Sequence, residues 1–218
     1  INGGDMVQAQ RIKTGLLGAE LTKDRKSGYF VIDKILKGKN WKKNLRSPLI
    51  GQGIDIQEGE YIISINNIYT NTVENIYELL LGQAGNTVEI EVNSKPNDKN
   101  ARKYLIQPVE DESQLYYFQW VQENIRKVNE ATEQRVGYLH VPDMSVTGLN
   151  EFVKYYYPQL AKEALIIDDR GNGGGNVSPM LIERLKREMS IMVMSRDVPT
   201  PSVKPSGTMI GPKVLLVD

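Results

Sequence analysis

Residues 166–180 read "IIDDRGNGGGNVSPM": a short apolar run, two carboxylates, an arginine, and three consecutive glycines before a helix-like segment. Three glycines in a row cost backbone entropy on folding. They are suited to places where the backbone must take φ > 0 or come close to something. Three chemistries compete. A strand–glycine–helix order suits a phosphate cradle, because helix N-termini favour anions. But "GNGGGNVS" fits neither G-x-x-x-x-G-K-[ST] nor G-x-G-x-x-G, since Ser178 stands where the last glycine would be. The second possibility is a purely structural turn. The third is an oxyanion hole, in which a free backbone N–H after a parallel strand polarises a carbonyl under attack.

Other residues that could do chemistry are few. His140 is the only histidine, and Asp143 and Ser145 follow it closely. Their spacing along a strand-to-loop segment does not make a triad, which needs convergence around a nucleophile held on a sharp turn. The spacing predicts a strand histidine with a local hydrogen bond. Asp168 and Asp169 could be paired acids, but the expected partner of Asp168 is Arg170 or the N–H groups of the turn. With one histidine and no cysteine, a zinc site of the usual ligand types is not expected. There is no thiol chemistry, and no metal or cofactor is called for.

The elements that must position these residues fall into two groups. Short strand-like runs occupy 15–21, 29–32, 61–65, 87–92 and 103–106, and "TVEIEV" alternates as a half-buried strand should. A helix is expected over 73–83, with Thr72 as its N-cap and Gly82 or Gly85 closing it. Several strands, one or two short helices and about 100 residues describe a small, partly open barrel. "QLYYFQWVQENIRKVNEAT" has helical spacing and forms a joint. Then come a strand (136–141), a helix (148–160), a strand (164–168), a helix (177–188) and a strand (213–217), the alternation of a parallel α/β sheet. Residues 195–212 hold four of the ten prolines and read as a loop. The last strand lies at the end of the chain, so the second unit reads as truncated, and an opening without Met reads as a cut piece.

Composition bounds the rest. The 218 residues are 40% hydrophobic and 25% charged, with zero formal net charge. That is the composition of a globular chain, and it argues against bulk attraction to nucleic acid. No apolar run approaches the ~18 residues of a membrane span. "LKGKNWKKNLRSP" gathers Lys37, Lys39, Lys42, Lys43 and Arg46 around Trp41, either as a solvated loop or as a patch for acidic partners.

"GYLHVPDMSVTGLNEFVKYY" followed by "ALIIDDRGNGGGNVSPMLIERL" resembles the core of the tricorn-type serine peptidases, which belong with the carboxyl-terminal-processing peptidases. The matching residues are Gly137, Tyr138, Leu139, Pro142, Met144, Leu149 to Phe152, Asp168, Arg170 and Asn172 to Gly175. "GEYIISINN" and "VENIYELLLGQAGNTVEIEV" resemble a PDZ domain, which that family carries just before its core. The resemblance implies an α+β and α/β chain: a lead-in (1–11), a PDZ-like partly open β-barrel (12–110), a linking helix (111–135), and the first part of a βαβαβ, crotonase-like core (136–218). It implies peptide or unfolded-protein substrates, with a homo-oligomeric parent in the cytoplasm or exported. Gly175 matches the glycine giving one oxyanion N–H, while Gly173 and Gly174 shape the turn. The family's nucleophile lies in a motif resembling E-[YF]-[AS]-x-S-D-G after the next core strand, and its general-base histidine lies upstream of the PDZ domain. Neither falls within these residues, so this segment alone is expected to be inactive. Counting eighteen residues past the oxyanion glycine reaches Val193 in the first specificity pocket, where some members have an acid. "TGLLGAEL" lies where a PDZ domain has its carboxylate loop, so Leu16, Leu17 and Gly18 are candidates to cap a peptide C-terminus.

Overall fold

The computed structural model describes residues 12–39, 42 and 45–218. The lead-in 1–11, and Trp41 and Lys43 of the basic loop, lie outside the described residues. The chain divides into two compact units between Gln119 and Trp120.

The first unit is an antiparallel sheet. Its strands are β1 (Ala19–Lys23), β2 (Phe30–Ile35), β3 (Tyr61–Ile65), β4 (Ile68–Tyr69), β5 (Val88–Asn93) and β6 (Arg102–Ile106). Their spatial order is β1-β2-β3-β5-β6, with β4 folded back on β3. Alternation does what the sequence predicts in β5: Val88, Ile90 and Val92 are fully buried, while Glu89 and Glu91 face outward. With Ile32, Ile62, Ile65, Ile76 and Leu80 they form one core. Ahead of β1, Leu16 exchanges both backbone hydrogen bonds with Val109, just after β6 (2.7 and 2.9 Å). This bridge curls the two ends of the sheet toward each other, so the barrel is partly closed.

Two local expectations are corrected here. The run 15–21 is not one strand. Gly18 has φ +68°, which ends the extended segment and lets Leu16 pair with Val109 while Ala19 begins β1. The helix expected over 73–83 is a 3-10 helix confined to Ile76–Leu80, capped by Asn75, whose side chain accepts from the Tyr77 N–H; Thr72 is not the cap. Tertiary pairing stops it at its far end. Leu81 bridges Thr14, Gly15 N–H donates to the Leu80 carbonyl, and Gly82 N–H donates to that of Lys13 (both 2.8 Å).

Helix α1 (Ser113–Ala131) runs across the divide. On the first unit's side, Leu115 packs with Leu36 and Leu45, and Phe118 lies against them.

The second unit has three parallel strands, β7 (Val136–His140), β8 (Ala164–Asp168) and β11 (Lys213–Leu216), in the order β11-β8-β7. Parallel neighbours need crossovers. Helix α2 (Val146–Tyr156) makes the first. It ends earlier than expected and continues only as a 3-10 turn, Tyr157–Gln159, because Pro158 has no N–H to extend the ladder. Helix α3 (Ser178–Leu185) begins the second, with Pro179 in its first turn. The stretch read as loop holds a strand: β10 (Ser202–Lys204) pairs with β9 (Ile191–Val193) as a two-stranded ribbon. Leu139, Val141, Phe152, Tyr156, Leu165, Ile167, Leu181 and Met209 form this unit's core. No described helix is long and apolar enough to cross a membrane.

Candidate functional site

The glycine loop leaves β8 through a buried electrostatic lock. Asp168 is fully buried and accepts from the Tyr138 hydroxyl at 2.7 Å, from Arg170 Nε at 2.8 Å and from Arg170 Nη2 at 2.6 Å. The Arg170 guanidinium holds the Asp168 carboxyl down at about 2 against the opposing effect of burial, and the Tyr138 bond helps. The same pairing pushes Arg170 up, and burial together with the bond to Asp168 pushes the Tyr138 hydroxyl up. Asn124 of α1 donates to that hydroxyl at 3.1 Å. The expected pairing of Asp168 with Arg170 is therefore the observed one. Asp169 is a separate group: burial raises its carboxyl, and Asn172 donates to it at 2.8 Å.

The loop then zips against the segment after β7. Asn172 is the organiser: its Nδ2 donates to the Val141 carbonyl (2.9 Å), and its Oδ1 accepts from the Gly174 N–H (2.7 Å). Gly173 N–H reaches the Pro142 carbonyl at 3.0 Å. Met144 donates to the Gly174 carbonyl (2.8 Å), and its own carbonyl accepts from the N–H groups of Asn176 and Val177 (2.6 and 2.9 Å). This is a one-residue parallel bridge between Met144 and Gly175. Such a bridge uses the carbonyl before Gly175 and the N–H after it. The N–H of Gly175 itself is directed away from Met144 and has no acceptor among the described residues.

Glycine is required at that position for two reasons. Its φ is +143°, and a Cβ would sit 2.1 Å from the Met144 carbonyl oxygen. Gly174 has φ +79° but nothing within 4 Å of where its Cβ would stand, and Gly173 has only the Pro142 carbonyl oxygen at 4.0 Å. A rigid, exposed loop thus presents one outward backbone donor, which can polarise an oxygen brought to it.

His140 does not join Ser145. Its Nε2 lies 3.0 Å from the Arg170 carbonyl, and Trp120 meets its ring edge-on at 4.8 Å. Ser145 gives its hydroxyl to Asp143 and caps α2, accepting from Thr147 N–H; Asp143 also accepts from Gly148 N–H at 2.9 Å. The strand reading of His140 holds, and this cluster is a helix cap. Val193 lies in β9, 39% exposed, where its carbonyl accepts from the Ser202 hydroxyl at 3.4 Å.

In the first unit, the turn at Leu16–Gly18 has the N–H groups of Leu16 and Gly18 engaged. Leu16 N–H goes to Val109, and the Leu17 side chain is fully buried in the core. Gly18 N–H donates at 2.6 Å to Oε1 of Glu112, and Ala19 N–H serves the same carboxylate. Glu112 is a functional candidate that sequence reasoning missed. Its partners lie 94 residues away, and nothing local marks it. In the basic loop, Arg46 donates to Gln107 at 3.0 Å and Lys39 lies over the Phe118 ring.

An antiparallel, partly closed sheet with a donor turn beside its edge strand thus shares one chain with a parallel sheet bearing an outward glycine N–H. Residues 15–111 match the tricorn protease PDZ domain. The chain is 35% identical to the tricorn protease of Thermoplasma volcanium over 159 residues, 73% of this chain and 15% of that one. It is 32% identical to tricorn protease homolog 1 of Streptomyces coelicolor over 209 residues, 94% of this chain and 19% of that one. The crystal structure of the tricorn protease aligns with a TM-score of 0.83 and 29% identity, covering 94% of this chain and 20% of that one. The chain belongs to the tricorn protease family and spans 15–20% of the length of these three relatives.

Proposed function

We propose that this chain is the PDZ-plus-core segment of a serine peptidase that hydrolyses peptides, its second unit being the start of a crotonase-like core. The observation that carries the reading is the outward N–H of Gly175, held by the Met144 bridge and without an acceptor among the described residues. A developing oxyanion is the ligand such a donor suits, since it is fixed before the charge appears and does not reorganise as the reaction proceeds. Gly173 and Gly174 shape the turn, and Asn172 with the Asp168–Arg170 pair keeps it rigid. The nucleophile and base belong to parts of the parent outside these residues. Val193 is proposed to border the first specificity pocket, and its apolar side chain favours apolar over basic residues before the cleaved bond. The turn at Leu16–Gly18 is proposed as the place where the PDZ unit meets a peptide C-terminus, with β1, the end strand of its sheet among the described residues, pairing to the strand that precedes it.

The test is turnover of short fluorogenic peptides by the full-length parent and its Gly174→Ala and Gly175→Ala variants, with thermal stability measured on the same samples. Loss of one oxyanion donor lowers kcat by roughly 10²–10³. Gly175→Ala is expected to show that loss with a smaller change in KM, while Gly174→Ala stays near wild type. A folded Gly175→Ala enzyme with near-normal kcat would refute the assignment. A wild-type parent that binds peptides but never cleaves them would make it a peptide-binding scaffold instead.

A further inference from the structure

The carboxylate turn of the first unit already holds a carboxylate. Gly18 N–H donates to Glu112 Oε1 at 2.6 Å in a buried contact, and the neighbouring Ala19 N–H helps to hold its charge. Two successive N–H groups aimed at one carboxylate are the arrangement that captures a chain terminus in a backbone nest. Glu112 is only 9% exposed, which is uncommon for a glutamate and tolerable because its charge is met by these donors. The turn is covered as well as filled. A Cβ on Gly18 would lie 3.4 Å from Leu115, so the first turn of α1 closes over the same backbone. Leu115 is itself buried against Leu36 and Leu45.

Two elements flank the turn. On one side runs β1, the end strand of its sheet, with no strand paired to its outer edge among the described residues. On the other lies the 3-10 helix Ile76–Leu80, tied to the turn through Gly15 N–H and the Leu80 carbonyl. Tyr77 of that helix feels the charge of Glu112, which adds to the effect of burial in raising its hydroxyl; Tyr116 of α1 responds to it in the same way. Burial pushes the Glu112 carboxyl up while the Gly18 and Ala19 donors hold it down, as for a desolvated anion with dedicated hydrogen bonds.

We infer that Glu112 is the resident ligand of this turn, an intramolecular stand-in for a peptide C-terminus that keeps the first unit closed to free chain ends. The inference rests on the proposed reading of Leu16–Gly18 as a carboxylate site and adds its state. An incoming terminus competes with a group of its own chemistry that is covalently tethered and therefore present at high effective concentration. The unit takes peptide C-termini only after Glu112 has been withdrawn from the turn.

The test uses the 218-residue chain, its Glu112→Ala and Glu112→Gln variants, and a short peptide ending in Val, as the free acid and as the C-terminal amide. Glu112→Gln keeps the volume and one acceptor but not the charge, so it serves if Glu112→Ala does not fold. Wild type is expected to bind acid and amide equally. Glu112→Ala is expected to prefer the acid by about tenfold or more, the range of a charge-assisted hydrogen-bond pair. Sodium acetate, against sodium chloride at equal ionic strength, should raise the melting temperature of Glu112→Ala and not of wild type. A wild-type chain that already prefers the free acid would overturn the closure while leaving the carboxylate reading intact. If neither chain discriminates, the reading of the turn as a peptide-terminus site fails, and the closure with it. Amide resonances of Gly18 and Ala19 that do not move in either variant would show that Glu112 is not the occupant.

Discussion

Replacing Asp168 by Asn keeps the shape of the buried side chain and removes its charge. Its oxygens serve Tyr138 and three Arg170 donors, counting the backbone N–H at 3.2 Å. A carboxyl held at about 2 against an ordinary 3.8 favours the folded state by about 2.5 kcal/mol once ionised. The Arg170 side chain is 51% exposed and partly screened by solvent, which brings the figure to roughly 2 kcal/mol. The folded value lies below the unfolded one. The stabilisation is therefore complete well above 3.8 and disappears as pH falls through about 2. The assay is urea unfolding in a Trp41→Phe background, where Trp120, set against His140, reports on the second unit. At about pH 6, Asp168→Asn is expected to be less stable than wild type by about 2–4 kcal/mol. By about pH 2.5 the gap should have narrowed by roughly 1.5 kcal/mol, because wild type loses stability that the amide never had. A gap that stays constant across that range would refute the claim that the ionised pair locks the loop.

Other outcomes follow from the same geometry. Gly175→Ala should destabilise the second unit by more than Gly174→Ala, because its Cβ meets the Met144 backbone; Gly174→Ala should cost only about 1 kcal/mol of left-handed strain, read by thermal melts. Tyr156 is buried, its hydroxyl donating to the Gly207 carbonyl at 3.1 Å and accepting from the Met209 N–H at 3.3 Å. Tyr156→Phe should cost about 1–3 kcal/mol in denaturant unfolding by leaving both groups without that partner. Lys103→Ala, which removes an exposed ion pair with Glu89 and Glu91, should change stability by less than about 1 kcal/mol.

What was legible in the sequence follows the reach of the interactions involved. The alternation of 87–92 and the helical spacing of 114–132 are set by which faces are buried, and the strand Val88–Asn93 and the helix Ser113–Ala131 stand there within a residue at each end. The turn of Gly173–Gly175 was legible because a glycine run has few physical reasons to exist. Boundaries decided by distant partners were not. The 3-10 helix stops where Leu81 pairs with Thr14, about 70 residues earlier in the chain. The β9–β10 ribbon was hidden because its strands are three residues long and exposed, and prolines flank the second. Nothing local marks Glu112 within "VEDES", because its contact is with Gly18, 94 residues away in the chain.

The sharing of α1 between the two sides of the divide bears on how the chain can be dissected. The match to the PDZ model ends at residue 111, a natural place to cut an expressed piece. The first unit's own interior does not end there. A piece stopped at Asp111 loses Leu115, which leaves Leu36 and Leu45 facing water, and it strips Gly18 of its carboxylate. Burying one leucine contributes about 2 kcal/mol, so such a piece begins with a deficit unrelated to peptide recognition. Extending it through Gln119 keeps the first helical turns and the covered apolar patch. Limited proteolysis should reflect the same boundary, with cuts in the first half of α1 slow compared with cuts in the 195–201 loop.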